Sequence, residues 1–504
     1  MIETLNALAG GFANALSFQN LLFAFLGVAV GTLVGVLPGL GPSATLAILL
    51  PLTFTLPPAA SLILFAGIYY GAKYGGSTTA ILLNIPGESA SVMTTLDGYA
   101  LAKEGRAGPA LGIAAISSFV AGTVGVIGLT FLAPVMAELA IEFGPPEFFG
   151  LMAFGLTTIV LLAGDSVLKG ILSAVLGLLL ATVGSDIVSG TARFTFGQLE
   201  LLDGIDFVIV AIGVFAVAEV LVNVQRRSQH QLFTVPKKLR ELLPSRDDLK
   251  RSRFAMAQSS VVGFFIGVLP GAGATVASFV SYGIEKRFSK RPEKLGKGAI
   301  EGVAAPEGAN NSETGGAMVP LLTLGIPGSS ATAIMLAALI IYGLQPGPQL
   351  FTEQPDLVWT IIASMYIGNV ICVLLNLPLV PVFASILRVP YTYLYPGILV
   401  VCVVGVYSLS SSHFDLYLLL LFAVLGYVMR LLDVPPAPLL LAFVLGPLAE
   451  TALAQSMVIS GGSLTILLTR PISLVFLALA ALLLLSTVAG RTNTFRTKVL
   501  EEAE

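Results

Sequence analysis

Long apolar runs alternate with short polar blocks almost end to end along this chain of 504 residues. After an amphipathic lead-in at 1–17, one run extends from Asn20 to Thr55 and another from Ala60 into a polar block at Lys73–Thr79. Beyond the polar patch Asp97–Arg106 come runs near 108–140, 147–164, 167–188 and 207–224. A charged stretch at 226–253 divides the chain. The second part resumes with runs near 258–284, 330–343, 357–386, 394–409, 414–429, 437–450 and 470–489. About 20 apolar residues let a helix cross the hydrocarbon of a bilayer, where the backbone must satisfy its own hydrogen bonds. The pattern therefore predicts an all-α polytopic membrane protein with about twelve membrane segments, some of them hairpins rather than crossings.

Several of these runs are interrupted in the same way twice. GVLPG occurs at Gly35–Gly39 and again at Gly267–Gly271, and a Gly-Gly pair leads to Ile-Pro-Gly at 85–87 and again at 326–328. Two blocks in the same order, about half a chain apart, indicate duplicated halves. Proline removes a helical hydrogen bond and clashes with the preceding turn, while glycine accepts φ > 0. Each interruption therefore reads as two half-helices joined at a short break, ending at Pro38, Pro86, Pro270 and Pro327. Lipid cannot satisfy broken backbone, so such breaks face protein or a polar cavity, and paired breaks in two halves point to a transporter's binding site. Kinks kept for packing alone are the plainer alternative.

Composition agrees with this class: 56% of residues are hydrophobic, 11% are charged and the mean hydropathy is +0.92, where a soluble protein carries about 25% charge. The net charge of −3 gives no reason to expect a nucleic-acid partner. Cys372 and Cys402 lie in apolar runs with neither disulfide nor metal spacing and read as small packing residues. The start MIETLNALAGG lacks a basic region and a cleavage site, so no removable signal peptide is expected.

The placement of basic residues is more informative than their number. No Lys or Arg follows the first GVLPG run at Thr55–Ala60, whereas Lys286, Arg287, Lys290, Arg291, Lys294 and Lys297 follow the second. Lys103 and Arg106 lie beyond the first Ile-Pro-Gly, whereas Tyr342–Gln354 beyond the second has no basic residue. Cytoplasmic loops carry the excess of Lys and Arg. The swap implies two inverted-topology repeats with broken helices or re-entrant hairpins. The expected organisation is a first repeat at 1–225, a basic cytoplasmic linker at 226–254, a second repeat at 255–490 and a charged tail at 491–504. Arg491, Arg496 and Lys498 place the C-terminus inside, against strict inversion; an extra span near Leu439–Leu453 would resolve this.

Candidate chemistry gathers at the breaks. Free N–H groups at half-helix starts attract anions. Ser43 and Thr45 follow the first GVLPG and Thr275 and Ser278 the second. Glu88, Ser89 and Ser91 follow the first Ile-Pro-Gly, and Ser329, Ser330 and Thr332 the second. These hydroxyls serve equally as helix N-caps. With the amide oxygens of Asn84, Asn310 and Asn311 they offer oxygen to a hard cation, so Na⁺ at the breaks is left open. Lys73, amid Tyr69, Tyr70 and Tyr74, is the best fixed cation for a carboxylate; the alternative is an interfacial lysine. Glu307 and Glu313 are the candidates for a coupling cation or proton, or else belong to a loop wetted by solvent. Asp165 and Lys169, at i and i+4, pair with each other on this reading.

Enzymatic alternatives are thin. His230 sits in the basic stretch, His413 follows Ser410–Ser412, and no phosphate-binding GxxxxGK[ST] loop occurs, so no cofactor is expected. An intramembrane hydrolase using His413 and a structural or channel-like subunit remain as alternatives to a carrier.

The segments GVLPGLGPSAT, KYGGSTTAILLNIPGESASVMTTLDGYALAKEGRAGPALG, GVLPGAGATVASFVSYGIEK and EGVAAPEGANNSETGGAMVPLLTLGIPGSSATA closely resemble the large membrane subunit of tripartite tricarboxylate transporters, the TctA family. The resemblance covers nearly the whole chain. It implies a bacterial inner-membrane importer driven by an ion gradient, Na⁺ or H⁺. It also implies two partners, a small membrane subunit with about four helices and a periplasmic solute-binding protein. Its substrates would be carboxylates such as citrate and other di- or tricarboxylic acids. No ligand assignment comes with it, so the candidate residues rest on the breaks.

Overall fold

The computed structural model describes residues 2–37, 41–162, 166–186, 190–225, 239–271, 273–386 and 391–485. Pro38, Asp165, His230, positions 226–238 of the expected linker and the tail at 491–504 lie outside the described residues. The structure is 82% helical, and the strands described form one two-stranded antiparallel ladder, which makes the class all-α.

In the first part of the chain the helices are α1 (Ile2–Ala15), α2 (Phe18–Val36), α3 (Pro42–Thr53), α4 (Pro58–Leu83), α5 (Val92–Lys103) and α6 (Ala107–Ile141). Then follow α7 (Pro145–Leu162), α8 (Val167–Ala181), α9 (Phe207–Ala211) and, across a π-helical stretch, α10 (Ala218–Gln225). After α11 (Leu239–Leu242) come α12 (Arg246–Val268), α13 (Gly273–Phe288), α14 (Glu301–Leu324) and α15 (Ser330–Ile341). The series continues with α16 (Pro348–Glu353), α17 (Pro355–Ile386), α18 (Tyr391–Ser410), α19 (His413–Leu431), α20 (Pro436–Ile459) and α21 (Ile466–Thr469). α22 (Pro471–Leu485) is the last described helix.

These residues form two compact units. One is Met1–Ile141 with Asp206–Leu431; the other is Glu142–Ile205 with Leu432–Glu504. Both sequence halves contribute to the first unit, so the duplication does not produce one domain per half. Five described helices, α2, α6, α17, α19 and α20, are long and apolar enough to cross a membrane. Six further apolar helices of 10–17 residues, among them α3, α8 and α15, fall short on length. The apolar runs behind the expected twelve segments thus include half-helices. α20 covers the extra span expected at Leu439–Leu453.

The interrupted runs break where expected. The first GVLPG separates α2 from α3 and the second separates α12 from α13. α4 ends at Asn84 with φ 60° and α14 at Gly325 with φ 69°, both left-handed, and Ile-Pro-Gly follows each. A left-handed residue after the last turn lets the chain leave the helix, which glycine and asparagine do most cheaply. Asn84 is exposed and its signal in the sequence was backbone conformation, not a ligating amide.

Two segments differ from expectation. α12 starts at Arg246, well before the apolar run at 258–284, because Ser245 and Asp248 form a reciprocal N-terminal capping box. The block Glu301–Thr314 is no wet loop: all of α14 from Glu301 to Leu324 is buried. Its Gly, Ala, Ser and Asn side chains are small, so other helices approach its backbone closely and exclude water.

That small-residue packing occurs in both halves. α2 carries Gly27, Gly31 and Gly35 at four-residue spacing, facing Gly67, Gly71 and Gly75 of α4. A Cβ on Gly35 would lie 2.2 Å from the Ala72 carbonyl oxygen. α12 meets α14 the same way; a Cβ on Gly316 would lie 2.1 Å from the Phe264 carbonyl oxygen. Cys372 and Cys402 are both fully buried, as packing residues would be.

In the second unit, Lys169 of α8 donates to the Leu432 carbonyl at 2.6 Å. Arg193, in the strand Ala192–Arg193, binds Asp186 at 3.1 Å and Glu450 of α20 at 2.6 Å. The other strand of this hairpin is Gly184–Ser185.

At the charged start of α12, ahead of its apolar part, Arg106 Nη2 donates to Asp248 Oδ1 at 2.7 Å. Burial raises the pKa of this carboxyl. The Arg106 hydrogen bond, with the Ser245 hydroxyl and amide, outweighs that and holds it below the ordinary carboxylate range. A pKa lower in the folded than in the unfolded chain adds stability above the ordinary range, and this is lost as pH falls towards the folded value. Arg106→Gln should therefore flatten the acid limb of a plot of melting temperature against pH, relative to wild type. Gly35→Ala should destabilise by about 1–3 kcal/mol through overpacking, read as a lower unfolding midpoint in detergent, whereas Gly10→Ala, with open space around it, should not.

Candidate functional site

The breaks of the two halves meet. Ser43, at the start of α3, shares a hydrogen bond of 2.6 Å with Ser330, at the start of α15. Thr275, near the start of α13, donates at 2.9 Å to Ser89, in the single 3-10 turn Ser89–Ser91 ahead of α5. Each GVLPG break thus touches the Ile-Pro-Gly break of the other half, and the two contacts exchange under the duplication. Within the second half, the Gly271 amide donates to the Gly328 carbonyl at 3.0 Å.

Between the breaks lies a buried polar cluster. Lys73, in the middle of α4, is 2% exposed, which rules out the interfacial-lysine alternative. Its Nζ donates to Asn310 Oδ1 at 2.8 Å and lies 3.5 Å from Glu313 Oε2 and 4.0 Å from Glu88 Oε1. The same Nζ sits 4.8 Å from the centre of the Tyr69 ring. Tyr69 donates its hydroxyl to Glu313 at 3.0 Å, and Asn310 Nδ2 donates to Glu88 Oε1 at 3.1 Å. Glu307, six residues before Glu313 on α14, accepts from Ser77 of α4 at 2.5 Å and from Thr94 of α5. Glu307 and Glu313 are both fully buried.

Helical spacing explains how three elements reach one point. Tyr69, Lys73 and Ser77 recur every four residues and share one face of α4. On α14, Asn310 and Glu313 are three apart and meet the same lysine. Counting back from each Ile-Pro-Gly, Thr314 and not a glutamate is the counterpart of Lys73, twelve residues before each isoleucine. The charges are therefore an asymmetric addition to a duplicated frame.

The remaining candidates divide between site and scaffold. Ser329 is the N-cap of α15, in a capping box with Thr332, and also lies 3.1 Å from the Tyr69 hydroxyl. Thr45 bonds back to the Gly41 carbonyl and Ser91 to the Glu88 carbonyl, so both hydroxyls finish helix starts. Asn311 donates to the Glu307 carbonyl, and its Oδ1 has no partner. Asn84 is not brought into the cluster. Among the described residues no group of three His, Cys, Asp or Glu is arranged for a metal ion. His413 is exposed at the start of α19, its ring 5.6 Å from that of Tyr407.

Sequence reasoning left Tyr69, Ser77 and Thr94 out of the candidate set and gave Glu88, named at the break, no role of its own. Tyr69 and Ser77 had a signal, one helical turn on either side of Lys73. Thr94 had none, because its approach to Glu307 depends on how α5 packs. Asp97 was also missed. Fully buried, it accepts from the amides of Gly296, Gly298 and Ala299 at 2.7–2.9 Å and from the Tyr282 hydroxyl at 2.8 Å. It thereby fixes the end of the basic connection to α5.

Residues 21–441 match the tripartite tricarboxylate transporter TctA family. The chain belongs to the TctA family. It is 47% identical, over the full length of both chains, to an uncharacterised 52.8 kDa protein of Agrobacterium vitis from the TAR-I ttuC' 3' region. It is 45% identical over 240 residues to an uncharacterised protein of the same organism from the TAR-II ttuC' 3' region, covering 48% of this chain and 99% of that one. No solved structure matches. Membership makes this TctA chain a multi-pass membrane component of a transporter and not a member of an enzyme family. It implies a small membrane subunit and a periplasmic binding protein as partners.

Removing the cation tests whether the cluster is charged as described. Lys73→Ala leaves Glu88 and Glu313 buried without their counter-charge and should cost about 3–5 kcal/mol. Adding Glu313→Gln should recover part of that. The unfolding midpoint of the purified protein reads both variants, and an unchanged midpoint for Lys73→Ala would contradict the charge assignment.

Proposed function

We propose that this TctA chain is the permease subunit of a binding-protein-dependent secondary transporter. It imports an organic di- or tricarboxylate across the bacterial inner membrane, driven by a Na⁺ or H⁺ gradient. The observation that carries this reading is the buried Lys73 cluster, set where the helix breaks of both halves converge.

Charged groups buried among apolar helices are costly and mark ion or substrate paths. Lys73 is the carboxylate-binding cation: a substrate carboxylate takes the place of Glu313 or Glu88 on its ammonium. Ser43, Ser89, Thr275, Ser329 and Ser330 line the approach from the breaks. Two carboxyl groups, Glu88 and Glu313, already face one ammonium, so an anion arriving alone would add to an excess of negative charge. Cations must enter with it, which ties substrate entry to the ion gradient. The exchange of break contacts between halves fits a two-fold pair of repeats, and the swap of basic loops makes that pair inverted, with alternating access by rocking about the shared site.

Proteoliposomes holding the complete complex should accumulate a labelled carboxylate only when the binding protein and an inward cation gradient are both present. Uptake that ignores every imposed gradient would instead fit a channel-like subunit. Orientation is checked separately. A cysteine at Gln349 should react with an impermeant thiol reagent from the periplasmic side, and one at Arg240 should not; the opposite pattern overturns the inverted repeats.

A further inference from the structure

We propose that Glu307 is a proton-binding carboxylic acid and that its proton is the coupling ion. The second half of this statement rests on the carrier reading above.

Proton counting around Glu307 carries the argument. Ser77 Oγ lies 2.5 Å from Glu307 Oε2 and also 3.2 Å from the Lys73 carbonyl oxygen. A serine hydroxyl has one proton to give. With Glu307 ionised, that proton goes to the carboxylate and the carbonyl contact holds none. With Glu307 protonated on Oε2, it donates to Ser77 Oγ, Ser77 donates to the Lys73 carbonyl, and Thr94 donates to Oε1. Each of the three contacts then holds one proton.

The charges point the same way. No ion pair among the described residues includes Glu307. The ammonium of Lys73 is engaged by Asn310, Glu313 and Glu88. The titratable groups that face Glu307 are Lys73 and Tyr74 from α4 and Glu88 from the turn before α5. The other neighbours bring hydroxyls: Thr94 from α5, and Ser118 of α6, which donates to the Glu307 carbonyl at 3.3 Å. Ser278 of α13 donates to the Pro306 carbonyl, and Ser259 of α12 lies against Gly308. A third bare carboxylate beside Glu88 and Glu313 would have no cation to offset it, and a buried carboxylate without one takes up a proton instead.

Protonation of Glu307 is then linked to substrate binding. When a substrate carboxylate takes Lys73, Glu88 and Glu313 lose their counter-charge, and the site tolerates this only while Glu307 is neutral. Loading a proton favours loading the anion, and release of one favours release of the other. The step breaks and remakes only the O–H bond of Glu307, with water on either side as donor and acceptor.

The test reads protonation directly and coupling separately. Infrared spectra of the full chain in lipid nanodiscs at neutral pH should show the carbonyl stretch of a buried protonated carboxyl. Glu307→Gln, which keeps the shape and hydrogen-bonding capacity, should remove it. Glu88→Gln and Glu313→Gln should retain it, and Ser77→Ala should shift its frequency. A spectrum of Glu307→Gln identical to wild type overturns the proposal. In proteoliposomes of the complex, Glu307→Gln should lower pH-gradient-driven uptake by roughly tenfold more than it lowers equilibrium exchange, in the usual range of coupling energies. Equal losses would make Glu307 merely structural. If the wild-type complex moves no substrate at all, the carrier reading and the coupling role fall together, while the infrared band still decides whether Glu307 holds a proton.

Discussion

An ammonium group taken out of water needs compensation within a few ångströms, and Lys73 finds it only because three parts of the chain converge on it. Asn310 supplies the hydrogen bond, Glu313 and Glu88 the opposing charge, and the Tyr69 ring the flank. Those partners lie on α14 and in the turn before α5, far from Lys73 in sequence. Much of the architecture can be read as the means of bringing them there. Buried ion pairs seldom stabilise a fold beyond what apolar residues would achieve. Charged groups inside a membrane protein are costly, which is why the proposed function places substrate at this cluster.

Close backbone approach is the second requirement, and small residues supply it. Glycines at four-residue spacing bring α2 against α4, and α12 against α14, with no side chain between them. Between lipid-exposed helices the hydrophobic effect gives little drive for association, so contact at this range and interhelical hydrogen bonds provide it. The same absence of side chains leaves room for the few polar groups that are present. The buried polar side chains of α14 are Ser, Thr, Asn and Glu, and most of their polar atoms have partners. The unpartnered exceptions, Asn311 Oδ1 and Thr314 Oγ1, lie one helical turn apart.

Duplication and asymmetry have separate roles. The duplicated frame sets the breaks, the glycine packing and the reciprocal hydroxyl pairs Ser43–Ser330 and Thr275–Ser89. The ionisable groups break that symmetry, with the ammonium from one half and two of the three carboxyls from the other. The carrier reading proposed above calls for a frame with two equivalent poses and also a site with a definite polarity. This division of labour meets both needs.

The sequence by itself determined the class and the frame. Apolar runs longer than a soluble core needs and repeated Pro-Gly interruptions are local or periodic signals, and each follows from chemistry at its own position. The breaks at Ile-Pro-Gly, 85–87 and 326–328, were legible for that reason, whereas the helix-ending role of Asn84 was not. What only the tertiary structure decided was the company each polar residue keeps. Lys73 was visible as a costly charge, but Asn310 as its hydrogen-bond acceptor was not. Glu307 and Glu313 looked alike in sequence, and packing gave Glu313 a tyrosine and an ammonium but Glu307 two hydroxyls. Thr94, Asp97 and the burial of α14 were not legible, because burial depends on which helices arrive on the other side. Spacing along a helix fixes a face; only the packed neighbours decide what that face meets.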